Sequence, residues 1–145
     1  MTDPHARFDE LATWFETLTP TSLAHIENIY AQTATFRDPF NQVAGIESIR
    51  RIYQHMFEQL DEPRFVITAK LVEAAAAFMT WQFLFTLRGK AYVIEGSTHF
   101  SLDQQGLIVL HRDYWDAAQE LYEQIPLLGA VLRVLRKKLS VRTLA

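Results

Sequence analysis

The first sixty residues carry apolar side chains at helical spacing in three places. The first stretch opens with Asp3, which can cap a helix, and Pro4, which suits a first helical position. Thr19-Pro20 restarts the chain before the second, short stretch, and the third stretch ends before Pro63. The apolar positions of the three predicted helices are Phe8, Leu11, Ala12, Phe15 and Leu18; Leu23, Ile26, Ile29 and Tyr30; and Ile46, Ile49, Tyr53, Met56 and Leu60.

Outside these helices the pattern changes to a period of two. Between the second and third helices, "TATFRD" alternates and predicts a short strand that Pro39 ends. After Pro63 come four long β-rich runs, separated by "AAA", "RGK" and "DQQG", of which the last two are good hairpin turns. These runs predict a meander of antiparallel strands over residues 64–74, 78–88, 91–102 and 107–115.

Helices followed by an antiparallel sheet predict the α+β class. Four long strands and a short one can curl around the third helix and leave a cavity at one end, where small-molecule sites tend to lie. The length of 145 residues predicts a single domain, 1–145, with a core over about residues 5–120.

The last segment, 116–140, is predicted to be a helical extension. Asp116 and Gln119 have capping-box spacing, and Pro126 and Gly129 interrupt the segment. A leucine-rich stripe favours packing on the protein's own sheet, on a dimer partner or at the cavity mouth, so a homodimer is expected; a membrane-surface helix is the alternative. The stripe is Leu128, Val131, Leu132, Leu135 and Leu139, and the basic residues beside it are Arg133, Arg136, Lys137 and Lys138.

Composition narrows the classes of function. Hydrophobic residues make up 49% of the chain, and ten Phe and three Trp suit a core that surrounds something apolar. A net charge of −3 gives no reason to expect nucleic acid as a partner. The chain has no cysteine, and its five histidines show no metal-ligand spacing, so no metal is expected. No long apolar run and no signal-peptide pattern are present, which predicts a cytoplasmic protein.

Two stretches of the sequence, taken together with this order of elements, carry a resemblance to known families. "IYAQTATFRDPFNQVAGIESIRRIY" contains A-x-x-A-x-x-x-D-P followed by G-x-x-x-I-R-x-x-Y, and resembles the matching stretch of ketosteroid isomerases and SnoaL-like polyketide cyclases. "GLIVLHRDYWD" is similar to the last strand of limonene epoxide hydrolases and SnoaL-like proteins. Over residues 5–120 the chain therefore resembles the nuclear transport factor 2-like superfamily, which implies a cone-shaped, cystatin-like roll with a curved antiparallel sheet wrapped around helices.

The resemblance also implies candidate catalytic residues. In ketosteroid isomerases the aspartate of the D-P motif is the base that shuttles a proton, and Asp38 stands at that position. Their oxyanion hole uses a tyrosine and a protonated aspartate, where this chain has Trp14 and Thr98. The loss of both donors argues against steroid isomerisation.

The epoxide hydrolases use an Asp-Arg-Asp relay to activate water. Asp113 matches the last-strand aspartate of that relay, whereas the arginine and the second aspartate fall at Gln82 and Leu84. The SnoaL-like cyclases use an aspartate as general acid/base with no metal or organic cofactor, so the resemblance implies no cofactor.

Strand parity groups further residues with these. On the last strand His111, Asp113 and Trp115 share one face, and the resemblance to epoxide hydrolases favours that face as the inner one. If the inner faces converge, burial raises the pKa of the carboxylates toward the working pH. The expected pocket has Asp38, Gln82, His111 and Asp113 as polar groups and Trp14, Phe36, Leu84, Phe100 and Trp115 as lining, with Thr98 on the same face as Phe100.

Two interpretations of these residues stay open. Asp38 is either a turn residue that caps backbone N–H groups or a base for proton transfer, and His111 and Asp113 either pair structurally or act as a second acid. The favoured function is an enzyme that transfers protons on a small apolar substrate, of isomerase, cyclase or hydrolase type. The alternative is a non-catalytic domain for ligand binding or dimerisation.

Overall fold

The computed structural model describes residues 3–116, 137–139 and 141. Over residues 3–116 the chain forms two α-helices, one 3₁₀ segment that is kinked at His25, and six strands. In chain order they are α1 Pro4–Glu16, the 3₁₀ segment Ser22–Asn28, β1 Tyr30–Arg37, β2 Gln42–Ala44, α2 Ile46–Gln59, β3 Asp61–Glu73, β4 Ala76–Leu87, β5 Lys90–Leu102 and β6 Ile108–Tyr114.

The six strands form one curved, unclosed sheet in the order β2-β1-β6-β5-β4-β3. The pair β1–β6 is parallel and the other neighbouring pairs are antiparallel. Because β1 and β6 run in the same direction, the residues that follow them, Asp38 and Trp115, emerge at the same end of the sheet. The predicted α+β class and its curved sheet are confirmed.

The sheet buries one face, and α1 and α2 contribute the other half of the core. Phe8, Leu11 and Phe15 of α1 are buried, and the buried stripe of α2 includes Ile49 and Tyr53. Strand β4 buries every second side chain, which is the pattern of a sheet with one covered face. Its buried set is Ala77, Met79, Trp81, Phe83, Phe85 and Leu87.

The meander follows the predicted runs closely, because its turns have clear backbone requirements. The β4–β5 hairpin closes through Arg88 and Gly89, which both have positive φ (52° and 78°), as a two-residue type I′ turn demands. Gly106, with φ 79°, closes the turn before β6.

Three local predictions were wrong. The second helix is a 3₁₀ segment, and Tyr30 begins β1 rather than ending that helix. Gln42–Ala44, part of the stretch "FNQVAG" whose pattern predicts a loop between the short strand and the third helix, pairs with β1 as a short edge strand. Pro63 lies inside β3, which is tolerated because β3 is an edge of the sheet.

Most of the predicted C-terminal extension, 116–140, lies outside the described residues. Within them, residues 137–139 are helical. Among the helices of the described range, none is long and apolar enough to cross a membrane.

Candidate functional site

A cavity lies between the covered face of the sheet and the two helices. Its volume of about 100 Å³ is several times what a single water molecule needs. Its polar lining side chains are Asp38, Tyr53, Thr98, His111 and Asp113. The remaining lining is Phe15, Phe36, Phe40, Ile52, Met56, Phe65, Ile67, Met79, Trp81, Phe83, Ile94, Phe100, Trp115 and Leu139.

The register of the sheet brings the central residues together. His111 of β6 is paired with Phe36 of β1 on one side and with Phe100 of β5 on the other. Two residues further along, Asp113 is paired with Thr98. The ring of His111 consequently contacts the rings of Phe36 and Phe100, with centroids 4.3 and 4.9 Å apart, and is only 4% exposed.

Asp38 stands at the end of β1 and is both a turn residue and a lining residue. Its Oδ1 accepts hydrogen bonds from the backbone N–H groups of Phe40 (2.8 Å) and Asn41 (2.6 Å). The Asn41 side-chain amide lies 3.3 Å from both carboxylate oxygens. An Asp side chain that accepts from the backbone N–H groups two and three residues later in the sequence is typical of a turn. The same carboxylate also lines the cavity.

The pKa of Asp38 is raised from its ordinary 3.8 to about 6. Burial is the largest cause, and the negative charge of Asp113 is the second. The hydrogen bonds from Phe40 and Asn41 oppose this rise because they stabilise the ionised form. The balance leaves a carboxyl group that exchanges its proton near neutral pH, which is what general acid/base chemistry needs.

Asp113 lies at the centre of a short network of hydrogen bonds. Its Oδ1 lies 2.8 Å from Nε2 of His111 and accepts a hydrogen bond of 2.6 Å from the Thr98 hydroxyl. The indole N–H of Trp81 donates to the Thr98 oxygen at 2.8 Å. Since an indole nitrogen is only a donor, it directs the Thr98 proton toward the carboxylate.

On its other side His111 bonds to a pair of tyrosines. Its Nδ1 lies 2.7 Å from the Tyr30 hydroxyl, and Tyr30 lies 2.8 Å from the Tyr53 hydroxyl. Burial raises the pKa of both phenols well above the usual value. The sequence analysis placed these tyrosines in the apolar stripes of predicted helices and assigned them no role in the site. A buried tyrosine needs a hydrogen-bond partner for its hydroxyl, and this requirement could have indicated that they belong to a polar network.

Most of the residues expected in the pocket do line the cavity. These are Asp38, His111, Asp113, Phe36, Thr98, Phe100 and Trp115. Trp14 does not, and is replaced by its neighbour Phe15. Trp14 packs behind the cavity instead, with its ring edge against Phe15, Tyr30 and Tyr53.

Gln82 and Leu84 are corrections, because they lie outside the cavity. In β4 the lining side chains are Trp81 and Phe83, and successive residues of a strand point to opposite faces. Gln82 therefore points away from the cavity, where its amide donates to Glu95 at 3.3 Å. The expected parity of this strand was wrong by one residue.

Leu139 and Val141 are joined to the cavity wall through Asn41. The Asn41 amide donates to the carbonyl of Leu139 at 2.9 Å, and its oxygen accepts from the N–H of Val141 at 2.8 Å. Leu139 itself lines the cavity. Asn41, only 6% exposed, thus joins the Asp38 turn to the C-terminal segment. No group of three or more potential metal ligands occurs in the part of the chain that the structure describes.

The protein is a curved sheet around helices with carboxylates inside an apolar cavity. Comparison with known protein families gives a match for this class of protein. Residues 11–111 match the family of the SnoaL-like domain. Since the match covers more than half of the sequence, the chain belongs to the SnoaL-like family. No curated protein matches the sequence significantly.

Solved structures share the fold at low identity. A candidate SnoaL-like polyketide cyclase from Shewanella putrefaciens is 15% identical with a TM-score of 0.70, over 86% of this chain and 96% of that one. An epoxide hydrolase of the limonene type from M. tuberculosis is 14% identical with a TM-score of 0.69, over 91% and 95%. A hypothetical protein with a ketosteroid isomerase-like fold from Catenulispora acidiphila, solved with trimethylamine, is 14% identical with a TM-score of 0.66, over 80% and 89%. At these identities the likeness establishes the fold alone.

Proposed function

We propose that this protein is an acid/base enzyme that moves a proton on a small apolar substrate, with Asp38 as the base. One observation carries the proposal: Asp38 and the Asp113–His111 pair line the same apolar cavity. A lone buried carboxylate is costly unless it is compensated, and here burial and Asp113 together raise the pKa of Asp38 to about 6. Near neutral pH such a group both takes up and returns a proton.

The two carboxylates have different surroundings, which separates their roles. Asp113 accepts from Thr98 at 2.6 Å and lies 2.8 Å from Nε2 of His111, so its Oδ1 is held by two side chains of the cavity wall. Asp38 is the group that changes its protonation, because burial and the charge of Asp113 raise its pKa in spite of its hydrogen bonds from Phe40 and Asn41. In this arrangement Asp38 abstracts a proton from carbon or from water, and the Asp113–His111 pair orients the second reacting group. No organic cofactor is needed for this chemistry.

The test is proton exchange at carbon, which requires no knowledge of the final product. The protein in D₂O is mixed with a panel of cyclic ketones and enones of terpenoid, polyketide and steroid type, and deuterium uptake next to the carbonyl is followed by mass spectrometry. A parallel panel of epoxides is scored for diol formation. The proposal expects at least one compound to react with the native protein and Asp38→Asn to slow that reaction by about 100-fold or more, since a general base contributes 10²–10⁴-fold.

A matched control comes from a second aspartate with the same local role. Asp103 also uses its Oδ1 to accept from two backbone N–H groups, those of Gln105 (2.8 Å) and Leu107 (3.0 Å), but does not line the cavity. Asp103→Asn therefore perturbs an equivalent turn and should leave the reaction unchanged. If Asp38→Asn reacted as fast as the native protein, Asp38 would not be the base.

The turn contacts of Asp38 favour a second candidate, a non-catalytic ligand-binding domain. In that case Asp38 is retained for its bonds to Phe40 and Asn41. Ligand binding raises the melting temperature whichever candidate is correct, because the ligand binds the native state. A compound that stabilises the native protein and Asp38→Asn equally, with no exchange or hydrolysis in either, would favour the binding domain.

A further inference from the structure

Four side chains form a continuous hydrogen-bonded chain that leaves the cavity wall and returns to it. Asp113 bonds to His111, His111 to Tyr30, and Tyr30 to Tyr53, with distances of 2.8, 2.7 and 2.8 Å. Asp113, His111 and Tyr53 line the cavity, whereas Tyr30 lies behind it with no exposed surface. The proposed reaction uses only the first two residues, so the tyrosines require a separate explanation.

The neutral form of His111 fixes the direction of every proton in this chain. A neutral imidazole has one donor and one acceptor nitrogen. The nitrogen beside the Asp113 carboxylate, Nε2, must carry the proton, so Nδ1 accepts. The Tyr30 hydroxyl then donates to Nδ1, and the Tyr53 hydroxyl donates to Tyr30. In this state the oxygen of Tyr53 keeps only lone pairs for a ligand.

One added proton reverses the chain. When His111 is protonated, both ring nitrogens donate. Nε2 still donates to Asp113, and Nδ1 now donates to the oxygen of Tyr30. The Tyr30 proton must turn to Tyr53, and the Tyr53 proton must turn away from Tyr30, which leaves Tyr53, a residue of the cavity lining, as a donor to another group. No covalent bond changes except the new N–H at Nδ1.

The described residues place few charged or titratable groups around His111. Tyr30 of β1, Tyr53 of α2 and Asp113 of β6 belong to the chain, and Asp38 faces the same cavity from the turn after β1. The other rings against His111, from α1, β1 and β5, are Phe15, Phe36 and Phe100, none of which titrates. Apart from the members of the hydrogen-bonded chain, Asp38 is thus the group whose protonation an experiment must distinguish from that of His111.

We propose that the protonation state of His111 determines, through Tyr30, whether Tyr53 offers the ligand a hydrogen-bond acceptor or a donor. The cavity then binds a small apolar molecule with a carbonyl oxygen together with one proton. This deepens the proposed function, because it names a ligand class for the same cavity. Tyr53 is the specificity-determining residue, and Tyr30 is a positioning residue that acts through it.

The first experiment needs no ligand. Long-range ¹H–¹⁵N NMR of the histidine-labelled full chain reports which nitrogen of a neutral ring carries the proton. The proposal expects the neutral ring of His111 to be protonated at Nε2 and Nδ1 to gain a proton on acidification. A neutral ring protonated at Nδ1 would overturn the proposal, since the chain would already point the other way.

The second experiment counts protons taken up on binding. Calorimetric titrations with 2-decalone, and with decalin as its hydrocarbon counterpart, are run in two buffers of different ionisation enthalpy. At pH values where His111 is neutral in the free protein, the native protein should take up about one proton for each ketone molecule bound. The affinity for the ketone should therefore fall about tenfold for each unit by which the pH rises. Decalin should bind with no linked proton, because it offers no acceptor.

The variants separate this proposal from the role of Asp38. Tyr53→Phe and Tyr30→Phe keep the ring volume but break the chain, and each should abolish the linked uptake while binding persists. Asp38→Asn should retain it. Uptake that survives in both tyrosine variants, or ketone binding no tighter than that of decalin in the native protein, would refute the proposal. Loss of turnover in Asp38→Asn bears on the base alone, so the two ideas fail separately.

Discussion

The pKa of Asp38 predicts a pH dependence of stability that a single substitution removes. Asp38→Asn keeps the shape of the side chain and an oxygen that can accept from Phe40 and Asn41, but it cannot ionise. Any stability difference that varies with pH between the native protein and this variant therefore reports the ionisation of Asp38. Burial and the charge of Asp113 are the stated causes of the raised pKa, so this difference also measures them.

The sign and the size follow from the two pKa values. Below about pH 4 the carboxyl group is neutral in both the folded and the unfolded chain. As the pH rises, the unfolded chain ionises first, near 3.8, and the folded chain only near 6, so the folded state holds more protons in between and loses stability. The difference between 3.8 and about 6 corresponds to about 3 kcal/mol, reached above about pH 7.

Chemical denaturation at a series of pH values measures this directly. The free energy of unfolding of the native protein should fall relative to that of Asp38→Asn by about 2 to 3 kcal/mol between pH 4 and pH 7. Asp103→Asn, with the equivalent turn outside the cavity, is the matched control for replacing an aspartate in such a turn. Parallel curves for the native protein and Asp38→Asn would refute the raised pKa and, with it, the electrostatic basis of the proposed function.

Three further substitutions test the framework of the site. In Gly96→Ala the new Cβ would lie 2.5 Å from the Trp81 ring, so we expect a loss of about 1–3 kcal/mol and altered Trp81 fluorescence. Thr98→Val leaves the Trp81 N–H without its acceptor and should cost about 1–3 kcal/mol in denaturation. Asn41→Ala removes the acceptor of the Val141 N–H, so hydrogen exchange of that amide should accelerate about fivefold or more, whereas a rate equal to the native one would show that this bond does not hold the segment.

The fold was predictable because local patterns and turns agree along most of the chain. Long amphipathic stretches gave α1 and α2, and the Arg88-Gly89 turn fixed the β4–β5 hairpin. The elements that were missed are those with little local signal. The edge strand Gln42–Ala44 has three residues and exists because β1 is there to pair with it. Pro63 suggested a break, but an edge strand tolerates it.

In β4 the resemblance to other proteins led to the wrong choice of inner face, although the alternation of side chains along the strand indicated the correct one. Gln82 and Leu84 were selected because catalytic residues of other proteins fall there. The strand itself separates its faces, since polar Thr80, Gln82 and Thr86 alternate with the aromatic rings that are buried. Periodicity alone would have placed Trp81 in the cavity and Gln82 outside.

The hydrogen-bonded chain was beyond sequence reasoning for a different reason. Tyr30 and His111 are 81 residues apart, and Tyr30 and Tyr53 are 23 apart. Their contact depends on the parallel pairing of β1 with β6 and on where α2 crosses the sheet, neither of which has a local signature. A sequence shows that a buried tyrosine needs a partner, but only the assembled sheet shows which one.

Asp38 makes the contacts of a turn residue and also lines the cavity, so the turn interpretation and the proposed role as a base do not exclude each other. Without its three donors, burial and Asp113 would raise its pKa further, and the group would stay protonated at neutral pH and be a poor base. Without the burial, the donors would hold its pKa low, and it would take up no proton. In the proposed reaction, the turn is therefore the part of the site that keeps the pKa of Asp38 in the range of a useful base. Asn41 contributes to this balance through its amide, and the same side chain bonds to Leu139 and Val141.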